Sequence, residues 1–349
     1  MKLAFARYDY GASHVSRGWR DSAVRLRAEL DAMLGASVVD VPAGEGHQRM
    51  HLHFCPAPMF RPSGRFDALF TMFEETYFPA QATRAYMAAS AIFVPSRWCA
   101  SVLAQVGLRT YLIPLAASAE VLAADPYRRI IRGSHDPLRV LWVGSKTDRK
   151  GWHQIAPMWE TAGLRHSLEA KLTIKTAGDD GDIESVSTNG NVTLDKRDIS
   201  PPDMATLYAE TDIFVSTSLS EGFGLCPLEA MAAGAVAILP ATTASVDIGS
   251  LGKRTTAVLV RPDSVAPIIF PDEKKFTMAA ASGQAIGLAL RHVIDSWSQK
   301  ETQAIRQAGV DEARKLTWTR TALAVCRSLD DAHERRSGTL SAASASPTA

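Results

Sequence analysis

Two glutamates, Glu221 and Glu229, stand eight positions apart in the segment SEGFGLCPLEAMAAG, which runs from Ser220 to Gly234. Gly222 and Gly224 lie between them, and Pro227 precedes a short run of good helix formers. Proline suits a first helical turn because its missing N–H would be unpaired there anyway. The free N–H groups and the positive end of the helix dipole then point into one space, a corner that attracts phosphate. Two carboxylates beside a phosphate would repel it, so they read as acceptors for neutral hydroxyls. A diphosphate, a ribose diol and sugar hydroxyls, as a nucleotide-sugar carries them, satisfy this set together.

The flanking runs show what positions these residues. DIFVSTS (212–218) is rich in strand formers, and AVAILP (235–240) is a second such run. A strand, a glycine loop, a helix over 227–233 and a strand make a βαβ unit with parallel strands. The same alternation extends along the chain. Strands are expected at 2–8, 36–42, 50–56, 67–73, 91–96 and 110–116, with helices at 17–34, 79–90 and 97–107. A polar, proline-marked stretch at 125–137 suits a connection, after which strands at 138–144, 170–178 and 191–196 alternate with helices at 151–163 and 201–210. Helices are also expected at 281–297 and 319–336.

This pattern predicts an α/β protein of two Rossmann-like domains facing a cleft. The expected boundaries are 1–130 and 131–318, with a helix at 319–336 packing back on the first domain and a disordered tail at 337–349. A chain of 349 residues is long enough for two cores. The hydrophobic fraction of 46% and charged fraction of 21% are those of a soluble globular protein, and a net charge of +1 gives no reason to invoke nucleic acid. No apolar run approaches the ~18 residues of a membrane helix. The four cysteines, Cys55, Cys99, Cys226 and Cys326, are scattered without framework spacing, which points to free thiols and a cytoplasmic setting.

Residues 197–239 and VLWVGSKTDRKGW (140–152) resemble the retaining glycosyltransferases of the GT-B fold, family 4, whose signature places two glutamates within S-x-x-EGFG-x-x-x-LEAMA-x-G. Thinner similarity in FTMFEETYFP (70–79) and AIFVPSRWCASVLAQVGL (91–108) extends it towards the acceptor-side domain of that family. The resemblance implies transfer of a sugar from a nucleoside diphosphate to a carbohydrate, lipid-linked or other hydroxyl acceptor, with retention and with neither metal nor cofactor. It implies that Glu221 steadies the transferred sugar, that Lys150 binds the diphosphate, and that Glu229 accepts bonds from the ribose. Gly222, Phe223, Gly224 and Leu225 form the loop that approaches sugar and phosphate. The family's usual arginine after the strand-end glycine is replaced here by Ser145, with Lys146 next, so Lys146 is expected to supply the second positive charge and Arg149 follows as the next candidate. A sugar phosphorylase, or a silent subunit binding nucleotide or a partner protein, fits the same scaffold.

Other candidates are weaker. His51, His53 and Cys55 share one face of HLHFC; with no further metal ligands in view they read as buried polar residues facing a cleft or helix. Glu74 and Glu75 follow a strand on the acceptor side, and Glu74 is taken as an acceptor contact. GDDGD (178–182) reads as a glycine-rich loop. Arg17, Arg20, Arg25 and Arg27 give one helix a basic face, suited to solvent or to a weak peripheral contact with anionic lipid.

Overall fold

A computed structural model describes residues 3–9, 17–45, 50–127, 136–176, 190–269 and 275–344. The chain divides into two units, Met1–Leu115 with Thr317–Ala349, and Ala116–Leu316. The first opens with β1 (Leu3–Arg7), α1 (Arg17–Leu34), β2 (Val38–Pro42), β3 (Met50–Phe54) and β4 (Phe66–Phe70). It continues with α2 (Ala80–Ala88), β5 (Ala91–Val94), α3 (Arg97–Gln105) and the short β6 (Tyr111–Leu112). These strands form one six-stranded sheet in the order β2-β1-β3-β4-β5-β6, with every pairing parallel. Strands β3, β4 and β5 are buried at every residue, as expected of a parallel sheet covered on both faces, whereas edge strand β2 is buried only at Val38 and Val41.

The second unit begins with α4 (Ala119–Ala123), β7 (Leu138–Val143), α5 (Ile155–Thr161), β8 (Ala170–Lys175) and β9 (Val192–Asp195). Then come α6 (Pro201–Ala209), β10 (Ile213–Val215), α7 (Leu225–Ala232), β11 (Val236–Pro240), α8 (Ser245–Gly249) and β12 (Val258–Val260). An antiparallel pair, β13 (Ser264–Ile269) and β14 (Lys275–Ala280), precedes α9 (Gly283–Asp295) and α10 (Lys300–Ala313). The main sheet is again parallel, in the order β12-β11-β10-β7-β8-β9, and Trp142, Met158, Trp159, Leu172, Ile213 and Ile238 fill its core. The last helix, α11 (Trp318–Ser344), belongs to the first unit, where Thr321 donates to the Pro114 carbonyl at 2.8 Å and Tyr111 donates to Asp331 at 2.8 Å.

Each sheet has a switch point where the strand order reverses, the place outside which α/β sheets bind ligands. In the first unit it lies between β1 and β3, and in the second between β7 and β10.

The two Rossmann-like sheets agree with the expected fold class, and several boundaries differ from expectation. Residues 116–127 join the second unit because Arg314, just after α10, donates to the Ala124 carbonyl (3.2 Å) and to that of Leu122. The long helix α11 reaches Ser344, past the expected end at 336, since no proline stands before Pro347 to stop a helix already nucleated. The antiparallel pair was not anticipated: Pro267 and a strongly exposed Val265 spoil the strand pattern of β13. Among the described residues no helix is long and apolar enough to cross a membrane. The GDDGD segment and residues 345–349 lie outside the described residues.

Candidate functional site

The loops that follow β7 and β10, on either side of the second unit's switch point, are laced together. Leu219 N–H donates to the Arg149 carbonyl at 2.8 Å, the Thr217 hydroxyl donates to the Lys150 carbonyl at 2.8 Å, and Arg149 Nη1 donates to the Ser220 carbonyl at 3.0 Å. Thr217 is fixed in turn by the Trp142 indole N–H at 2.9 Å, which ties the lacing to the core of β7. Gly151 makes the approach possible. Its φ of +64° is left-handed, and a Cβ there would overlap the Thr217 carbonyl. No other residue type meets both conditions.

This lacing delivers Lys150 to Glu221, with Nζ 2.5 Å from Oε1. The same carboxylate accepts the Ser218 hydroxyl at 2.7 Å, and its other oxygen lies 3.8 Å from Arg149 Nη1. A third loop, after β11, holds the backbone of Glu221. Its N–H donates to Thr243 Oγ1 at 2.9 Å, and its carbonyl accepts from Ala244 N–H at 3.2 Å. Thr243 has a φ of +45°, a sparsely populated conformation that the surrounding bonds must sustain. Burial opposes ionisation of Glu221, but Lys150 and then Arg149 outweigh it and hold the carboxyl below the usual range. The corner therefore presents an anion already matched by two cations.

Helix α7 starts at Leu225, two residues before the expected Pro227, because Gly224 caps it with a φ of +100°. Arg306 on α10 and Arg314, the residue that follows it, donate to the carbonyls of Gly234 (2.7 Å), just past α7, and Ala232 (3.0 Å), its last residue, bringing positive charge where the dipole favours it. Glu229 occupies the second turn. Its Oε1 accepts the Ser118 N–H at 3.1 Å, and it touches the Tyr208 phenol, which burial pushes well up, with Cys226 and Glu229 adding to the shift. Gly222 and Phe223 are buried, so Phe223 anchors the loop from beneath while Leu225 is half-buried.

The remaining candidates fall elsewhere. Ser145 and Lys146 are exposed, and Lys146 Nζ stands over the Trp152 ring, 5.4 Å from its centroid. The structure thus sets Arg149 beside Lys150 at the carboxylate. Glu74 lies in the first unit beyond β4, where its N–H donates to the Glu75 carboxylate at 3.1 Å. His51 and His53 meet Asp67 of β4, with ligand atoms within 4.8 Å of one another, and Cys55 is not part of that cluster. Arg27 on the basic helix is paired with Asp40 at 2.7 Å and Asp31 at 3.2 Å.

Sequence reasoning missed Ser118, Ser218 and Thr243. The last two carry a usable signal, since each follows a strand end at or beside the switch point. Ser118 carries none, because only the tertiary packing of α4 against α7 brings it to Glu229.

Residues 137–269 match the family model Glycosyl transferases group 1, a span holding Lys150, Arg149, Glu221 and Glu229. No curated protein sequence matches the chain. Among solved structures, sucrose-phosphate synthase from Thermosynechococcus elongatus superposes with a TM-score of 0.66 at 14% identity, covering 95% of this chain and 99% of that one. HepE from Anabaena, solved with UDP and glucose, gives 0.63 at 13% identity, covering 95% and 100%. The pneumococcal O-GlcNAc transferase GtfA, solved with UDP and GlcNAc, gives 0.56 at 13% identity over 88% of this chain and 59% of that one. These likenesses establish the fold as two Rossmann-like units of the GT-B class.

Proposed function

We propose that the chain is a nucleotide-sugar-dependent glycosyltransferase that moves a sugar from a nucleoside diphosphate to an acceptor hydroxyl with retention. The observation that carries it is the convergence of Lys150 and Arg149 on Glu221 across the switch point, at the start of a helix bearing Glu229. A diphosphate entering this corner draws Lys150 and Arg149 to its oxygens, where they neutralise the charge that builds as the nucleotide leaves. Glu221 is then free to meet the transferred sugar as positive charge develops on its ring. Glu229, held by the Ser118 N–H on one oxygen, offers its carboxylate to the ribose diol. The match of residues 137–269 to Glycosyl transferases group 1 supports this reading, and the resemblance to family 4 supports retention. The UDP present in two of the similar structures makes UDP-sugars the first donors to test.

The test is a thermal-shift screen against UDP-, GDP- and ADP-sugars. A donor at a hundred times its Kd stabilises the folded state by ~2.7 kcal/mol, about 5–10 °C in Tm for a unit of this size. The shift should vanish in Lys150→Ala. If no nucleotide-sugar moves the Tm of the folded wild-type chain, the proposal fails.

A further inference from the structure

Glu229 lies where three helices of the second unit meet. Helix α7 carries it, α6 packs against α7, and the short α4 packs against both. Tyr208, next to last in α6, reaches into this junction and is only 1% exposed. Its phenol is hydrogen-bonded to the side chains of Cys226 and Glu229. Those two residues stand three apart on α7 and so share one face of the helix. A second donor comes from the start of α4, where the Ser118 N–H gives a bond of 3.1 Å to Glu229 Oε1. Ser118 is itself fixed, since its hydroxyl caps α4 by accepting the Val121 N–H at 3.4 Å.

The direction of these bonds follows from the groups. A phenol has one proton, so two side-chain bonds require it to donate one and accept the other. Carboxylate oxygens accept, so the Tyr208 O–H donates to Glu229 and the Cys226 S–H donates to the Tyr208 oxygen. Both protons are held in place, because burial pushes the Cys226 thiol up and the Tyr208 phenol well up. A phenylalanine would fill the same buried volume without placing a hydroxyl there, and a buried hydroxyl is costly unless bonded. What the hydroxyl adds is therefore its grip on Glu229. One donor leaves a glutamate's carboxyl plane able to swing about its three side-chain torsions, whereas two donors from different helices set that plane.

We propose that Tyr208 is a positioning residue of the donor corner: its hydroxyl, steadied by the Cys226 thiol, works with the Ser118 N–H to hold the Glu229 carboxylate in the plane that a ribose diol meets. This role rests on the proposed function, since the nucleotide is what brings the diol. It also distinguishes the two glutamates. Lys150 and Arg149 orient Glu221 through charge, whereas Tyr208 and Ser118 orient Glu229 through neutral donors, which suits it to neutral hydroxyls.

The test is calorimetric titration of the full chain with UDP, GDP and ADP, each beside its 2′,3′-dideoxy counterpart, which lacks the diol. Tyr208→Phe keeps the ring and removes only the hydroxyl. The nucleotide that the wild type binds should bind this variant about fivefold more weakly, the scale of immobilising one rotamer-rich side chain. Its dideoxy counterpart should bind the variant and the wild type alike, a distinction that a residue serving only the packing would not show. Adding Tyr208→Phe to Glu229→Ala should weaken binding no further, because the hydroxyl acts through that carboxylate. Unchanged affinity in Tyr208→Phe, equal loss of the nucleotide and its dideoxy counterpart, or a further loss in the double variant overturns the positioning role alone. Binding of none of the three nucleotides by the folded wild type sinks the proposed function, and this role with it.

Discussion

Replacing Lys150 by methionine removes the ammonium and keeps most of the apolar stem, so it isolates the charge at the donor corner. Lys150 and Glu221 are 2.5 Å apart, with side chains 17% and 13% exposed. Breaking a fully buried pair costs ~3–5 kcal/mol. The residual exposure, and Arg149 at 3.8 Å from the same carboxylate, reduce this to about 2 kcal/mol. At roughly 2–4 °C per kcal/mol, the second unit should melt about 4–8 °C lower near neutral pH. The pH dependence gives the sharper signature. In the wild type the Glu221 carboxyl is held below its usual range, so its contribution is present above the unfolded value of ~4.3 and is lost as pH falls through the folded value. In Lys150→Met burial prevails, the carboxyl rises above its usual value, and its charge becomes a cost that protonation relieves. The gap in Tm between wild type and variant should therefore be widest near pH 7.5, be narrower at about pH 4.5 once the variant's carboxyl is protonated, and close only below ~4.3 as the wild-type carboxyl takes up its proton. Scanning calorimetry at both pH values measures it without any substrate, and adding Glu221→Gln to Lys150→Met should recover most of the loss at neutral pH. A gap of the same size at both pH values would refute the assignment of Glu221 as the charge that Lys150 serves.

Gly151→Ala should destabilise the second unit by about 3 kcal/mol or more, because a left-handed backbone and an overlap with Thr217 act together; urea unfolding measures it, and a loss under ~1 kcal/mol would deny the close approach. Arg149→Ala should slow single-turnover transfer by ~10²-fold with donor saturating, and Lys146→Ala should slow it far less; the reverse order would return the second cation to Lys146. Glu229→Ala should weaken donor binding about tenfold with little change in turnover, since ribose contacts are equal in ground and transition states; calorimetric binding beside single-turnover rates separates the two. Transfer should survive dialysis against EDTA, because two cations and a helix N-terminus supply the counter-charge, and activity restored only by added magnesium or manganese would contradict this.

The fold was legible because its signals are local. Helix α1 carries good helix formers at amphipathic spacing, and the strands of both sheets read as short apolar runs between turn residues, so these elements fall within a few residues of expectation. What the sequence hid was set by tertiary contact. Helix α4 is only five residues long and has no periodic signature; its place in the second unit comes from Arg314, which lies far along the chain and seizes its carbonyls. Helix α10 was not anticipated either, since its buried positions include Thr302, Arg306 and Glu312, polar residues whose partners no pattern discloses.

The candidate site divides along the same line. Glu221, Glu229 and Lys150 stood out because a glycine loop, a helix start and a strand end each leave marks in neighbouring residues. Which cation lies beside Lys150 at Glu221 left no such mark. Position on the loop favoured Lys146, one residue after the place of the missing arginine, yet reach is decided by which residue the β7 loop turns toward the β10 loop. Gly151 forces that turn, and the Leu219 N–H pins the Arg149 carbonyl immediately before it, so the two residues preceding the glycine are the ones presented to Glu221. Lys146, upstream of the turn, is left to settle over Trp152. A close backbone approach permitted by one glycine therefore selects which charges meet, and a count along the loop cannot reveal it.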